Sequence, residues 1–484
     1  MLSHFVSALA IPALVRAATV TYSVPAAAPT TAATLDVAPV AISIEFFTWP
    51  SYMTNVTATN QCLSNLEALT GEWPAIRIGG TTQNRADYNA SMSAYAVYST
   101  SSATGVPTIL TYGPSFIDLA AAYKGRITMG DYPATNYFLN SANKIIGLNR
   151  GHDNITNTIL AAKYCKAKMT NLFAIEAGNE PEYWSGATAA ADAEAQDDWA
   201  IRIGQAISTT SIMEEGNSLS APPTWGAAEL IATENSTVTP YVKTFSHHAY
   251  PGGDTTTLME HGLTVSKMAV FKADIAAATT AGKQYVFGET NSVSGGGAAA
   301  VSPTYSSAIW TLDYALYAMT LNAKRLYFHH GTLGACEYCW FGRFTMGASY
   351  YGAYAASAAM AGGSKIVILD AGTTNYATYI VYGSSGAPLR AVLINTDFYS
   401  GTSTRGSEVF TLSGFSSTSV KAKRLTAPAS TSRVDEGSSP SFGGQEFENG
   451  SCVKTGTEVY ETIDVSGGAA NFTVNASKAL VVYF

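Results

Sequence analysis

Between about residues 38 and 355, short apolar runs alternate with stretches whose hydrophobic residues return every third or fourth position. Runs of four to seven apolar residues suit strands buried on both faces, and a three-to-four spacing puts one side of a helix against them. Repeated strand–helix units of this kind close a parallel sheet with helices outside it. The strand candidates are Ala41–Phe47, Ala75–Ile78, Lys144–Leu148, Phe173–Glu176, Pro222–Trp225, Thr244–Ser246, Gln284–Phe287 and Arg325–Phe328. Helical faces are carried by Leu63, Leu66 and Leu69, by Trp199, Ile203 and Ile207, and by Ile309, Leu312, Leu316 and Met319. Eight units in roughly 300 residues predict a (β/α)8 TIM barrel over 38–355, with Ala86–Pro133 as an insertion after the second strand.

From residue 356 to 484 the pattern changes. Tyr376–Tyr382, Leu389–Asn395, Val409–Leu412, Val420–Arg424, Val459–Ile463 and Ala479–Phe484 are short strands divided by Gly, Ser and Thr turns, which predicts a β-sandwich. The alternating Val20–Val24, within an N-terminal segment 18–37, is expected to add a strand to it. Residues 1–17 have the apolar length and small-residue ending of a signal peptide, although no Lys or Arg precedes the apolar run. Sequons at Asn55, Asn89, Asn154, Asn235, Asn449, Asn471 and Asn475 agree with export, so a secreted protein is expected. No later segment has the roughly 18 uninterrupted apolar residues of a membrane span. In an oxidising compartment the five cysteines should form at least one disulfide, with Cys62–Cys165 and Cys336–Cys339 as candidates. With a net charge of −8 and no basic run, nucleic acid and anionic membranes are excluded as partners.

Barrel chemistry is carried at the C-terminal ends of the strands. Glu180, in GNEP, follows the fourth strand candidate and Glu289, in FGET, follows the seventh. These strands face each other across the barrel mouth, so the two side chains can converge. A carboxylate pair about 5 Å apart suits retaining glycoside hydrolysis, in which one attacks the anomeric carbon and the other protonates the leaving oxygen. Glu289 would be the nucleophile and Glu180 the acid/base, its pKa raised by the charge of Glu289. Asn179 is placed to bond the sugar 2-hydroxyl.

ISIEFF with Glu45, IRIGGTT, GLNRG, GNEP, SHHAY and GETNSVSGGG occur in that order along the chain. This set resembles glycoside hydrolase family 79, a family of TIM-barrel retaining glycosidases that includes β-glucuronidases and heparanase. The resemblance implies that Glu45, Thr81 and Tyr250 hold the sugar, Tyr250 also orienting Glu289, and that His247 and His248 are structural donors around the nucleophile. It further implies that the backbone N–H groups of Gly295 and Gly296, with Tyr338, receive a glucuronate carboxylate, an anion site that needs no Lys or Arg. It implies neither a metal nor an organic cofactor, because carboxylates and water suffice. A buried Glu45–Arg77 ion pair and a flexible glycine linker are the structural alternatives for Glu45 and for Gly295–Gly296.

The expected substrate is therefore a terminal, sometimes 4-O-methylated, β-glucuronic acid on a glycan or glycoside. Ser294 stands where some family members have Tyr, which keeps a neutral-sugar β-glycosidase as the alternative. A non-catalytic carbohydrate-binding protein is the third reading, and the presence of Glu180, Glu289 and Asn179 together speaks against it. An enzyme acting inside sulfated heparan would need a basic cleft, and 27 Lys and Arg against 35 Asp and Glu form no evident cluster.

Overall fold

The computed structural model describes residues 19–130, 154–184, 187–342 and 346–484. Eight parallel strands close a barrel in sequence order: Val40–Glu45, Ile76–Gly79, Ile127–Gly130, Leu172–Glu176, Met213–Ser218, Val242–Ala249, Gln284–Thr290 and Arg325–His330. Helices between consecutive strands bury their apolar stripes against it, among them Ala58–Thr70, Ala189–Ala206 and Tyr305–Thr320.

Two strands differ from expectation. The third is Ile127–Gly130, inside the expected insertion, while the candidate Lys144–Leu148 and the GLNRG motif lie outside the described residues. The fifth is Met213–Ser218, and 222–225 is loop. Its sequence, MEEGNS, carries two glutamates that no hydrophobic pattern marks as strand. Both are buried, on opposite faces of the strand because successive side chains alternate. Burial, then the charge of Glu176, raises the pKa of Glu214, which belongs to the charged network of the barrel interior. The insertion is correspondingly shorter. Ala86–Tyr88, Ala96–Tyr98 and Leu110–Tyr112 form a small sheet, followed by the helix Pro114–Ala121.

The C-terminal region packs two sheets face to face. Thr19–Ser23 runs parallel to Ser407–Ser413, which pairs antiparallel with Ala469–Asn475. The larger sheet contains Tyr376–Tyr382, Pro388–Asn395, Ser419–Thr426 and Lys478–Tyr483, and Ile380, Leu393, Phe410, Phe472 and Leu480 fill the space between them. The last barrel helix, Ala348–Met360, continues past the expected boundary at residue 355. Residues 1–17, expected as a signal peptide, lie outside the described residues.

Cys62 bonds Cys452, not Cys165, and Cys336 bonds Cys339. Cys165 is buried on the helix Ile155–Lys168 and is in neither disulfide, whereas Cys62 faces the junction with the C-terminal region, where Asn65 donates to the Cys452 carbonyl at 2.7 Å. A second tie across that junction is ionic. His261 meets Asp313 at 2.9 Å through Nδ1 and Asp370 at 2.9 Å through Nε2, and Tyr379 donates to Asp313 at 2.6 Å. Burial opposes the imidazolium, but the two aspartates outweigh it and raise the His261 pKa to about 10. A folded pKa above the unfolded value of about 6.5 stabilises the protein fully below that pH, and the contribution is lost as pH rises through about 10. His261→Leu leaves two buried aspartates facing each other and should cost about 3–5 kcal/mol. Melting temperatures of both proteins check this, with the difference largest in mildly acidic buffer and smaller in alkaline buffer.

Candidate active site

Glu289 ends the seventh barrel strand and Glu180 follows the fourth. The chain leaves the fourth strand through Gly178 (φ +102°) and turns at Glu180 itself, which has φ +50°. A non-glycine residue in the left-handed region is strained, and here it is held by its N–H donating to the Asn217 carbonyl at 2.8 Å and by Pro181 after it. That turn aims the Glu180 carboxyl back over the barrel. One carboxylate oxygen from each glutamate and a ring nitrogen of His248 lie within 4.8 Å of one another.

The environments of the two carboxyls push them apart. Burial comes first for Glu180, then the charge of Glu289, and together they raise its pKa to about 8. The expected ordering, with Glu289 as the main cause, is thus corrected. For Glu289, burial is outweighed by His329, His248 and Arg77 and by the hydrogen bond from Tyr250, which hold it well below the usual carboxylate range. Tyr250 donates to Oε1 at 2.6 Å and Arg77 to Oε2 at 2.7 Å. At neutral pH the site therefore holds one protonated and one ionised carboxyl, the combination that acid-assisted nucleophilic displacement requires.

Arg77 lies completely buried beneath the site. It makes a two-point contact with Glu176, at 2.5 and 2.6 Å, besides its bonds to Glu289, to Ser43 at 3.0 Å and to Asn179 at 2.9 Å. It does not pair with Glu45. That carboxylate instead accepts from the N–H and hydroxyl of Thr82, at 2.8 and 2.5 Å, and lies 3.5 Å from His329. The paired glycines of IRIGG allow this approach, because a Cβ on Gly80 (φ +99°) would stand 2.6 Å from Glu45 Oε2. His248 bonds Glu180 at 3.0 Å through Nδ1 and also lies beside Glu289, so it stands between the two carboxyls. Burial, then Arg77, lowers its pKa to about 4. His247 points away, toward the Ser220 carbonyl at 2.8 Å.

The glutamates open into a cavity of about 470 Å³ that also exposes Glu45, Thr81, Tyr250, Gly295, Gly296 and Tyr338. Asn179 is buried behind it, its side-chain oxygen committed to Arg77. Gly295 (φ +69°) and Gly296 (φ +92°) take a conformation that keeps their N–H groups without a hydrogen-bond partner among the described residues, while the Gly296 carbonyl accepts from Glu337 at 2.7 Å. This joins the glycine loop to the segment around Tyr338, which the Cys336–Cys339 disulfide closes. Sequence reading missed four residues here: Arg77 as a partner of Glu289, Thr82, His329 and Arg85. His329 was signalled by its place at the end of the eighth strand, one residue before His330. Arg85 lines the cavity and donates to the Pro107 carbonyl at 3.0 Å, a position only the insertion's path could reveal.

Glu180, His248 and Glu289 are also spaced as metal ligands can be. A divalent ion about 2.1 Å from each would compete with Arg77 and Tyr250, which already satisfy Glu289. The donor set fits proton and carbon chemistry better.

Residues 375–481 match the family described as Glycosyl hydrolase family 79 C-terminal beta domain. A beta-glucuronidase of Neurospora crassa is 30% identical over 338 residues, which is 60% of this chain and 57% of that protein. A beta-glucuronidase of Aspergillus niger is 29% identical over 412 residues, 75% of this chain and 72% of that protein. The crystal structure of a 4-O-α-L-rhamnosyl-β-D-glucuronidase from Fusarium oxysporum 12S superposes with a TM-score of 0.90 at 42% identity, covering 96% of this chain and 100% of that one. A bifunctional glucanase–xylanase from a metagenome library, 13% identical with a TM-score of 0.59 over 96% of this chain and 99% of that one, shares the fold alone. With an eight-stranded barrel, a matching C-terminal β domain and a full-length relative at 42% identity, the chain belongs to glycoside hydrolase family 79 and is a glycoside hydrolase.

Proposed function

We propose that the protein is a secreted, retaining exo-β-glucuronidase that removes terminal β-glucuronic acid from glycans or glycosides. The observation that carries this reading is the pair of oppositely tuned carboxyls, within 4.8 Å, beside two glycine N–H groups that have no partner among the described residues. That spacing fits direct attack by a carboxylate, whereas an inverting enzyme keeps its carboxyls about 6.5–9.5 Å apart to admit water.

Glu289 attacks C1 while Glu180 gives its proton to the departing oxygen, leaving a glycosyl ester on Glu289. The ester carries no charge, so the repulsion that helped keep Glu180 protonated disappears. Glu180, now ionised, takes a proton from water as that water attacks C1, and Glu289 is regenerated. Tyr250 and Arg77 hold the nucleophile's two oxygens, and Glu45, Thr81 and the side-chain nitrogen of Asn179, whose oxygen Arg77 engages, serve the sugar hydroxyls. Gly295 and Gly296, with Tyr338, receive the C5 carboxylate. The glucuronidase names of the relatives support this sugar. Secretion is supported by two disulfides and by exposure of Asn55, Asn89, Asn235, Asn449 and Asn471 among the sequons.

A panel of p-nitrophenyl β-glycosides tests the sugar. Faster cleavage of the glucoside than of the glucuronide would replace this reading with the neutral-sugar one that Ser294 allows. Early NMR spectra of the product should show the β anomer first, and an α anomer would end the retaining assignment. The free-enzyme rate, kcat/KM, should fall as pH rises through about 8, because the acid form of Glu180 is then lost.

A further inference from the structure

A second cavity, of about 340 Å³, opens beside the first and shares Leu219, Tyr250 and Ser294 with it. Its own wall is apolar: Pro222, Pro251, Met268, Val270 and Phe271. The cation on its lining, Lys267, already donates to the carbonyls of Pro251 at 2.8 Å and Gly252 at 3.0 Å. A polar or anionic group placed there would lose water and find little to replace it, whereas an apolar ring system gains by burial.

The position fixes what enters. Glu45, Thr81, Gly295 and Tyr338, which line the first cavity, follow or end the first, second, seventh and eighth strands. The second cavity is built mainly from segments after the fifth and sixth strands, across the barrel mouth, with Ser294 of the loop after the seventh strand at the shared wall. Its 219–222 edge is tied to the loop that carries Glu180, because Leu219 and Ser220 both donate their N–H to Glu182. A group that receives a proton from Glu180 departs toward this side. Ser294, small and exposed at the shared wall, leaves the passage open.

We propose that this cavity is the aglycone site and takes an apolar, polycyclic aglycone, an inference that rests on the glycosidase reading of Glu180 and Glu289. The expectation is tested with phenyl and estrone-3-yl β-glucuronides, both of which release a phenol, on the full chain. The steroid should have a KM about tenfold lower than the phenyl compound. Val270 is 37% exposed and touches only the second cavity, so Val270→Asp should fold normally. It should raise the KM of the steroid about tenfold and leave the phenyl substrate within about twofold, while Val270→Ile keeps both. Equal KM values for the two substrates would overturn the proposal. So would an unselective effect of Val270→Asp, or a lower KM for β-glucuronosyl-glucose than for the steroid. If glucuronides are not cleaved but glucosides are, the same pair made as glucosides carries the test. The sugar assignment then fails while the aglycone assignment is still decided.

Discussion

Glu289→Gln should abolish turnover of every β-glycoside, lowering kcat by at least about four orders of magnitude, while the protein stays folded. Gln keeps the shape of the side chain, and its oxygen can still accept from Tyr250. Arg77 loses one anion but keeps its two-point contact with Glu176, so the buried guanidinium remains compensated. What disappears is the ionised oxygen that forms the glycosyl ester. Circular dichroism and melting temperature check the fold, and p-nitrophenyl glycosides check the chemistry. A complementary measurement is mass spectrometry after treatment with a 2-deoxy-2-fluoro-glucuronosyl fluoride, which should leave one sugar on the peptide containing Glu289. Normal activity in the Gln variant, or a label elsewhere, would remove Glu289 from this role.

Glu180→Ala should act differently, and the difference is diagnostic. An aglycone that leaves as a stable anion, such as 2,4-dinitrophenolate, does not need a proton, so its departure should be little affected. Poor leaving groups should slow by about 10²–10⁴-fold. The second step lacks its base for all substrates, and azide should restore it by entering the space left by the carboxylate, giving a β-glycosyl azide. The decline of kcat/KM above about pH 8 should vanish in the variant, since burial and the charge of Glu289 act there on a carboxyl no longer present. If neither leaving-group dependence nor azide rescue is seen, the acid role moves to another group. His248, 3.0 Å from Glu180, would be the next to examine.

Much of the fold was legible because burial writes itself into hydrophobic spacing. Six barrel strands and the three named helical faces were read from apolar periodicity alone. The pattern failed at Met213–Ser218, where two adjacent glutamates are buried and Glu214 belongs to the charged centre, and at Ile127–Gly130, a strand lying inside the expected insertion. The wrong disulfide has a related cause. Cys62 and Cys452 are 390 residues apart, and no local signal encodes which helix face meets which distant loop.

The site divides in the same way. By itself the sequence determined that Glu180 and Glu289 stand at the rim of strands on opposite sides of a barrel, because strand order and residue position are properties of one dimension. Only the tertiary structure decided their proton affinities. Those depend on burial and on charges brought from elsewhere: Arg77 from the second strand, His329 from the eighth, and His248 and Tyr250 from the sixth strand and the residue after it. Electrostatic energy falls with distance and rises with loss of water, and neither quantity exists until the chain has closed around the pair.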